Sequence, residues 1–197
     1  MELLSDLIKI KSWAENSQGL EEVINLVEKY LQKNISGLYL KKFLHKGKPS
    51  LVASFYDTKE FDLILNGHLD VVPGSAEIFN LKTEENLLKG RGVYDMKMGG
   101  YMMIKVMQEL QAQKPNIALM LTTDEEVGGE NGVRYLLEQE KYRAKVVFIP
   151  DGSSGLDYLG KGIINLKVAT KGISAHSAYP WRGENALDKL LKAIQQI

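Results

Sequence analysis

The chain contains no cysteine among its 197 residues. This absence excludes disulfide bonds, thiolate zinc sites and a cysteine nucleophile, so any metal must bind to histidine and carboxylate side chains. A long hydrophobic run is also lacking at the start, where Glu2, Asp6 and Lys9 interrupt the apolar residues. The sequence therefore predicts no signal peptide and no membrane contact, and we expect a cytoplasmic protein.

An excess of charge of one sign is lacking as well. Lys plus Arg number 25 and Asp plus Glu number 25, which gives a formal net charge of zero. This balance gives no indication of a nucleic-acid partner or of an anionic membrane. Hydrophobic residues make up 44% of the chain, enough for one full core and part of a second.

Helical and strand-like patterns alternate through the first 160 residues. Apolar residues recur at helical spacing in 2–11, 19–33, 96–111 and 132–138, and short β-rich apolar runs occupy 51–56, 63–65, 117–122 and 146–149. Continuously apolar strands between helices are typical of sheets that are covered on both faces. The sequence therefore predicts an α/β fold with a mainly parallel, mixed sheet flanked by helices.

The pattern changes near Gly160. Residues 163–169 alternate as a strand would, and a helix is predicted from Asn185 to the end. We therefore expect a metal-binding catalytic domain at 1–160 and a partial α+β domain at 161–197. One strand and one helix cannot bury a core alone, so the second unit is expected to be incomplete or completed by another chain.

Polar residues directly follow three of the predicted strands, and one further acidic residue precedes a predicted helix. The carboxyl ends of strands in an open α/β sheet line the ligand crevice, so these side chains are expected to share one cleft. They are His68, Asp70, Asp95, Glu125, Glu126 and Asp151.

Several carboxylates in one cleft repel each other, which would raise their pKa values unless cations are present. One histidine with several carboxylates suits zinc or a similar divalent ion, and two ions would offset the charge. Asp70 lies two residues after His68 and could accept its second ring N–H, which would orient the ring. Of Glu125 and Glu126, one can bind metal while the other acts as a general base.

Each residue also has an ordinary structural explanation. A lone His68 would more often be a hydrogen-bonded structural histidine, Asp95 could be a helix N-cap, and Asp151 could belong to a turn. Glu125 and Glu126 could begin a solvated helix. The presence of several such motifs in register favours the metal centre.

With these motifs assembled, the sequence resembles the M20 family of dizinc peptidases and deacylases, some of them carboxypeptidase-like. Asn66-Gly-His68-Leu-Asp70-Val-Val-Pro73 looks like the first metal motif of that family. Gly90-Arg-Gly-Val-Tyr-Asp95-Met-Lys97-Gly looks like the second motif. Asp124-Glu125-Glu126-Val-Gly-Gly129 looks like the third. The resemblance runs through the whole chain.

The resemblance implies hydrolysis of amide or peptide C–N bonds in small substrates, either N-acyl amino acids or dipeptides. It implies two zinc ions, although cobalt or manganese would suit the same ligands. His68 and Asp151 would bind the first ion, Asp95 would bridge both ions, and Glu126 would bind the second. Glu125 would be the general base that activates water and then protonates the leaving amine.

Residues 172–187 resemble the start of the lid, which is the dimerisation domain in this family. His176 takes the position of the histidine that stabilises the tetrahedral oxyanion in the site of the partner subunit. The resemblance therefore implies a homodimer formed through the lid.

The family supplies a final histidine to the second ion after the chain returns from the lid. These 197 residues hold no such histidine, and His45 matches no motif, so the second ion would lack a ligand. Two alternatives to an active enzyme remain open. The chain could be a noncatalytic fragment or pseudoenzyme that binds one ion and acts by association, or a half-enzyme completed by another chain.

Overall fold

A computed structural model describes residues 1–151, 155, 162, 164 and 166–196. The chain divides into two compact units, Met1–Gly155 and Leu156–Ile197, and each is described by itself. The sequence placed the domain boundary near residue 161. Residues 156–161 lie outside the described residues, so that boundary stays a prediction.

The described residues form five α-helices and seven strands. The helices are α1 (Glu2–Lys9), α2 (Ser17–Asn34), α3 (Met98–Glu109), α4 (Val133–Glu138) and α5 (Ala186–Ile194). The strands are β1 (Tyr39–His45), β2 (Lys48–Ser54), β3 (Glu60–His68), β4 (Lys82–Glu84), β5 (Leu87–Lys89), β6 (Ile117–Thr122) and β7 (Arg143–Phe148). A kinked turn, Val93–Lys97, precedes α3. None of the helices in the described part of the chain is long and apolar enough to cross a bilayer.

The first unit is built on a five-stranded mixed sheet with the strand order β1-β2-β6-β3-β7. Strand β3 pairs in parallel with β6 on one side and with β7 on the other. The β1–β2 hairpin adds two antiparallel strands at the far side of β6. The mixed α/β sheet flanked by helices that the sequence predicted is confirmed, and its parallel part is the group β6, β3 and β7.

Two layers of side chains hold helices against this sheet. On one face, buried residues of α1, α2 and α3 pack against strand residues such as Leu65, Leu119 and Leu121. On the other face, Ile64 and Met120 pack with Leu136 of α4 and with Tyr142. Because both faces of β6 are covered, all six of its residues are buried, which explains its continuously apolar sequence.

The second unit contains α5 and a single β-bridge between Ile173 and Glu184 among its described residues. Asn185 caps α5, because its side chain accepts a hydrogen bond from the backbone N–H of Leu187. The strand predicted at 163–169 is not found at the positions that are described, 164 and 166–169. An alternating sequence needs a neighbouring strand to pair with, and the described residues of this unit provide none.

Strand β6 gives a direct test of the core. Leu121 is fully buried, so Leu121→Ala is expected to lower the free energy of unfolding by about 2–5 kcal/mol. Leu44 is 65% exposed in β1, and Leu44→Ala is expected to change it by no more than about 0.5 kcal/mol. Urea denaturation of both variants measures the difference. Equal losses would contradict this assignment of the core.

Candidate metal centre

The three parallel strands bring distant parts of the sequence to one edge of the sheet. His68 is the last residue of β3 and lies opposite Thr122, the last residue of β6. Glu125 follows β6 by three residues, and Asp151 follows β7 by three. Parallel strands end at the same edge, so these side chains meet there as the sequence predicted.

The ring of His68 is buried and faces carboxylates from three different segments. Its Nε2 atom lies 2.9 Å from Asp95 Oδ1 and 3.7 Å from both Glu125 Oε2 and Asp151 Oδ2. In spite of these short distances, Nε2 makes no hydrogen bond in this arrangement. Donor atoms of His68, Asp95 and Asp151 all lie within 4.8 Å of one another.

Asp95 reaches this group from the kinked turn that precedes α3. Its backbone angles, φ −125° and ψ 103°, are extended rather than helical, and its peptide bond to Met96 is cis. Helix α3 begins only at Met98, and Asp95 makes no side-chain capping bond. The alternative role of Asp95 as a helix cap is therefore not supported, and its side chain remains 53% exposed beside His68.

Asp70 links two sides of the centre and is fully buried. Its backbone oxygen lies 3.0 Å from His68 Nδ1, while its Oδ1 atom is farther away at 3.4 Å. The backbone oxygen is thus the hydrogen-bond partner of Nδ1, and Oδ1 makes no hydrogen bond. The other carboxylate oxygen, Oδ2, accepts a hydrogen bond of 3.0 Å from the backbone N–H of Glu126. The sequence predicted that Asp70 accepts a hydrogen bond from His68, and the accepting atom is the backbone oxygen rather than the carboxylate. The sequence did not predict the bond from Glu126.

A short loop after β6 positions Glu125 and Glu126. Buried Asp124 closes this loop, because its Oδ2 accepts hydrogen bonds from the backbone N–H groups of Asn131 and Gly132, at 2.7 and 3.0 Å. Glu125 and Glu126 lie in a single short helical turn, Glu125–Val127, rather than at the start of a solvated helix. Their sequence neighbour Asp124 is thus a structural residue that the motif alone did not reveal.

The side chains of Asp95 and Glu126 line a shared cleft of about 290 Å³ with Val72, Arg91 and Tyr94. Glu126 is not part of the donor group formed by His68, Asp95 and Asp151 in the described residues. The cleft beside the donor group provides space for a small molecule next to the candidate metal ligands.

The remaining histidines lie elsewhere. His45 stacks on Tyr135 with the ring centroids 4.3 Å apart, which gives it a structural role. His176 lies in the second unit, where its Nδ1 accepts a hydrogen bond from the backbone N–H of Ala178. The role of His176 in catalysis stays a prediction.

The burial and close spacing of the acidic side chains raise the pKa values of Glu125 and Asp151. Burial raises the pKa of Glu125, and the charges of Asp151, Asp70 and Asp95 raise it further, against an opposing effect of His68. Burial followed by the charge of Asp95 raises the pKa of Asp151 in the same way. These carboxylates would therefore be easier to ionise beside a cation.

The pKa of His68 is raised as well, although the cause differs. Burial alone would lower its pKa, but the adjacent Asp70 carboxylate and the charges of Glu125 and Asp95 raise the pKa to about 9. The buried Nε2 atom, which makes no hydrogen bond, and the carboxylates around it are the donor types that zinc and similar divalent ions bind. The residues therefore fit a metal ion on chemical grounds.

Metal binding should depend on pH through His68. Its raised pKa means that the ring carries a proton at neutral pH without metal, and a metal ion must displace that proton. We expect the apparent metal affinity to rise with pH up to about 9, by at most tenfold per pH unit for this group. Titration calorimetry in buffers of different ionisation heat should detect about one proton released at pH 7 for the ion that binds His68.

The control for this measurement is His45→Gln, which should leave the proton release unchanged because His45 lies outside the centre. Metal binding without proton release at pH 7 would contradict the assignment of His68 as a protonated ligand.

Comparisons with known proteins find relatives of this chain. A sequence model described as "Peptidase family M20/M25/M40" matches residues 64–197. The chain is 29% identical over 210 residues to a probable succinyl-diaminopimelate desuccinylase of Staphylococcus aureus, covering 100% of this chain and 50% of that protein. It is 31% identical over 180 residues to succinyl-diaminopimelate desuccinylase 2 of Shewanella loihica, covering 82% and 48%. The chain thus spans about half the length of these relatives.

Two solved structures share the fold. Human carnosine dipeptidase 1 matches with a TM-score of 0.62 and 21% identity, over 77% of this chain and 38% of that one. An M20 family metallo-carboxypeptidase of Sulfolobus solfataricus matches with a TM-score of 0.62 and 22% identity, over 75% and 36%. Since the family model covers more than half of the 197 residues, the chain belongs to peptidase family M20/M25/M40.

Proposed function

We propose that the chain forms the metal-binding part of a metal-dependent hydrolase that cleaves amide or peptide bonds in small substrates. One observation carries the proposal: the buried Nε2 atom of His68 has no hydrogen-bond partner and faces Asp95, Glu125 and Asp151. Buried polar atoms are normally satisfied, so an unsatisfied one among carboxylates indicates a ligand site. Membership of the peptidase family supports the same conclusion.

Two divalent ions are proposed, with zinc as the first choice and cobalt or manganese as substitutes. His68 and Asp151 would hold the first ion, Asp95 would contact both, and Glu126 would hold the second. When bound, such ions supply Lewis acidity that activates water and polarises the scissile carbonyl. The short distances within His68, Asp95 and Asp151 support this part of the ligand set.

Glu125 is proposed as the general base. Its carboxylate is 55% exposed and lies 3.7 Å from the His68 ring, so it can reach a substrate and still border the centre. Its pKa is raised, chiefly by burial, which brings it closer to the pH at which a proton must be taken and returned. One Oε atom would accept the proton of the attacking water and deliver it to the leaving amine nitrogen.

Asp70 is proposed to keep the His68 ring oriented through its backbone oxygen and to hold the loop of Glu126 through its carboxylate. His176 is proposed to stabilise the oxyanion of the tetrahedral intermediate in a second copy of the chain, which requires a homodimer.

The substrate proposed for the first assays is an N-acyl amino acid. The relatives from Staphylococcus aureus and Shewanella loihica are named as succinyl-diaminopimelate desuccinylases, so N-succinyl-diaminopimelate heads the panel. Dipeptides are the second class of substrates to assay, because carnosine dipeptidase 1 shares the fold.

Replacement of the general base should separate catalysis from metal binding. Glu125→Gln is expected to lower kcat by about 10²- to 10⁴-fold, because the amide cannot accept a proton. The matched control is Glu130→Gln, an exposed carboxylate five residues away that pairs with Arg134, and it should keep full activity. Ninhydrin detection of released amine measures both variants. A Glu125→Gln protein with unchanged kcat would rule out this residue as the base.

A second candidate function is of a different class. The described residues of the first unit place one histidine, His68, at the centre, while His45 packs on Tyr135. A centre with one histidine among carboxylates favours a protein that binds a single ion and acts by association, or one completed by another chain.

Metal stoichiometry distinguishes the two candidates. Two tightly held ions per chain would support the hydrolase, whereas one ion or none would support the second candidate. Asp95→Ala is expected to remove at least one ion per chain, because its Oδ1 atom lies nearest to His68 Nε2. Asp57→Ala removes an exposed carboxylate that pairs with Lys41, and it should keep the wild-type metal content. Elemental analysis of the purified proteins provides the measurement.

A further inference from the structure

The side chain of Lys97 is fully buried at the end of the turn that carries Asp95. Its Nζ atom donates two hydrogen bonds of 2.8 Å, one to the backbone oxygen of Leu7 and one to that of Ile10. Both acceptors belong to the C-terminal end of α1, where carbonyl groups lack helical partners and favour a cationic donor. The side chain therefore ties the Asp95 turn to the segment that follows α1.

The segment that follows α1, Ile10–Ser12, is also bonded to the other side of the centre. Ser12 Oγ donates a hydrogen bond of 2.6 Å to the backbone oxygen of Leu69, and Ser12 O accepts one of 3.1 Å from the N–H of Val71. Leu69 and Val71 flank Asp70 and follow His68 directly. Thus Ile10–Ser12 is hydrogen-bonded to both the His68 segment and the Asp95 turn.

The same two segments approach each other directly at Gly92. This residue has φ +80°, and a Cβ atom there would lie 2.8 Å from a methyl of Val71 and 3.0 Å from Cδ of Lys97. The backbone N–H of Lys97 also donates a hydrogen bond of 2.7 Å to Gly92 O. Gly92 thus allows a close contact that any side chain would obstruct.

We propose that Lys97 and Ser12 are positioning residues that set the distance between His68 and Asp95 through the segment Ile10–Ser12. Neither side chain contacts substrate or metal in this role. Lys97 fixes the turn on which Asp95 is placed, and Ser12 fixes the backbone that follows His68. Residues that bond to the metal ligands or to their backbone, without contacting the metal, determine the spacing of the ligands and hence the metal affinity. This inference rests on the metal centre of the proposed function.

The test measures metal binding in three single variants and in the double variant of Lys97→Met and Ser12→Ala. Lys97→Met keeps the length of the side chain and removes both hydrogen bonds, and Ser12→Ala removes the bond to Leu69. Leu121→Ala is the control, because it destabilises the core and removes none of these three hydrogen bonds. Zinc affinity is measured by chelator competition, and the visible absorption spectrum of bound Co²⁺ reports the ligand geometry.

Lys97→Met is expected to weaken zinc binding by about 10- to 100-fold and to change the Co²⁺ spectrum. Ser12→Ala should change the zinc affinity and the Co²⁺ spectrum in the same direction but by a smaller amount. The double variant should lose less affinity than the sum of the two single losses, because both substitutions act through the segment Ile10–Ser12. Leu121→Ala should leave affinity and spectrum unchanged in spite of its lower stability.

Wild-type affinity and spectrum in folded Lys97→Met protein would overturn the inference. If Lys97→Met does not fold, Ser12→Ala decides the question, and an unchanged spectrum in that variant overturns it. Failure of the wild-type chain to bind zinc or Co²⁺ would instead contradict the proposed function, so the two failures can be told apart.

Discussion

Burial of the His68 ring beside carboxylates from separate segments is the constraint on which the rest of the first unit depends. The carboxylates repel each other, and the protonated His68 ring offsets part of this repulsion, which is why its pKa is raised. The backbone around the centre holds the carboxylates close together, and a metal ion between the donors would replace the proton of the ring.

The backbone supplies that support from two directions. Parallel pairing of β3 with β6 and β7 fixes the ends of three strands at one edge, which brings together the histidine and two of the acidic segments. The fourth segment, the turn of Asp95, is not part of the sheet. Its position depends on buried Lys97 and on the segment Ile10–Ser12, which is also bonded to the backbone beside Asp70.

Two buried carboxylates organise the loops rather than serve as candidate metal ligands. Asp70 accepts from the backbone N–H of Glu126 and thereby joins the loop after β3 to the loop after β6. Asp124 accepts from two backbone N–H groups ahead of α4 and closes the loop that presents Glu125. Burial raises the pKa of Asp124, and these two hydrogen bonds oppose that rise.

The sequence by itself determined the α/β class, the mixed sheet and the residues that gather at its edge, because strand periodicity and the positions of polar residues after strands are local signals. It did not reveal the roles of Ser12, Lys97 and Asp124. Lys97 bonds to backbone oxygens about 90 positions away, and nothing in the spacing of the chain marks such a partner. The tertiary structure alone decided which buried polar groups hold the ligand-bearing loops, since those contacts form only when α1, the loops and the sheet pack together.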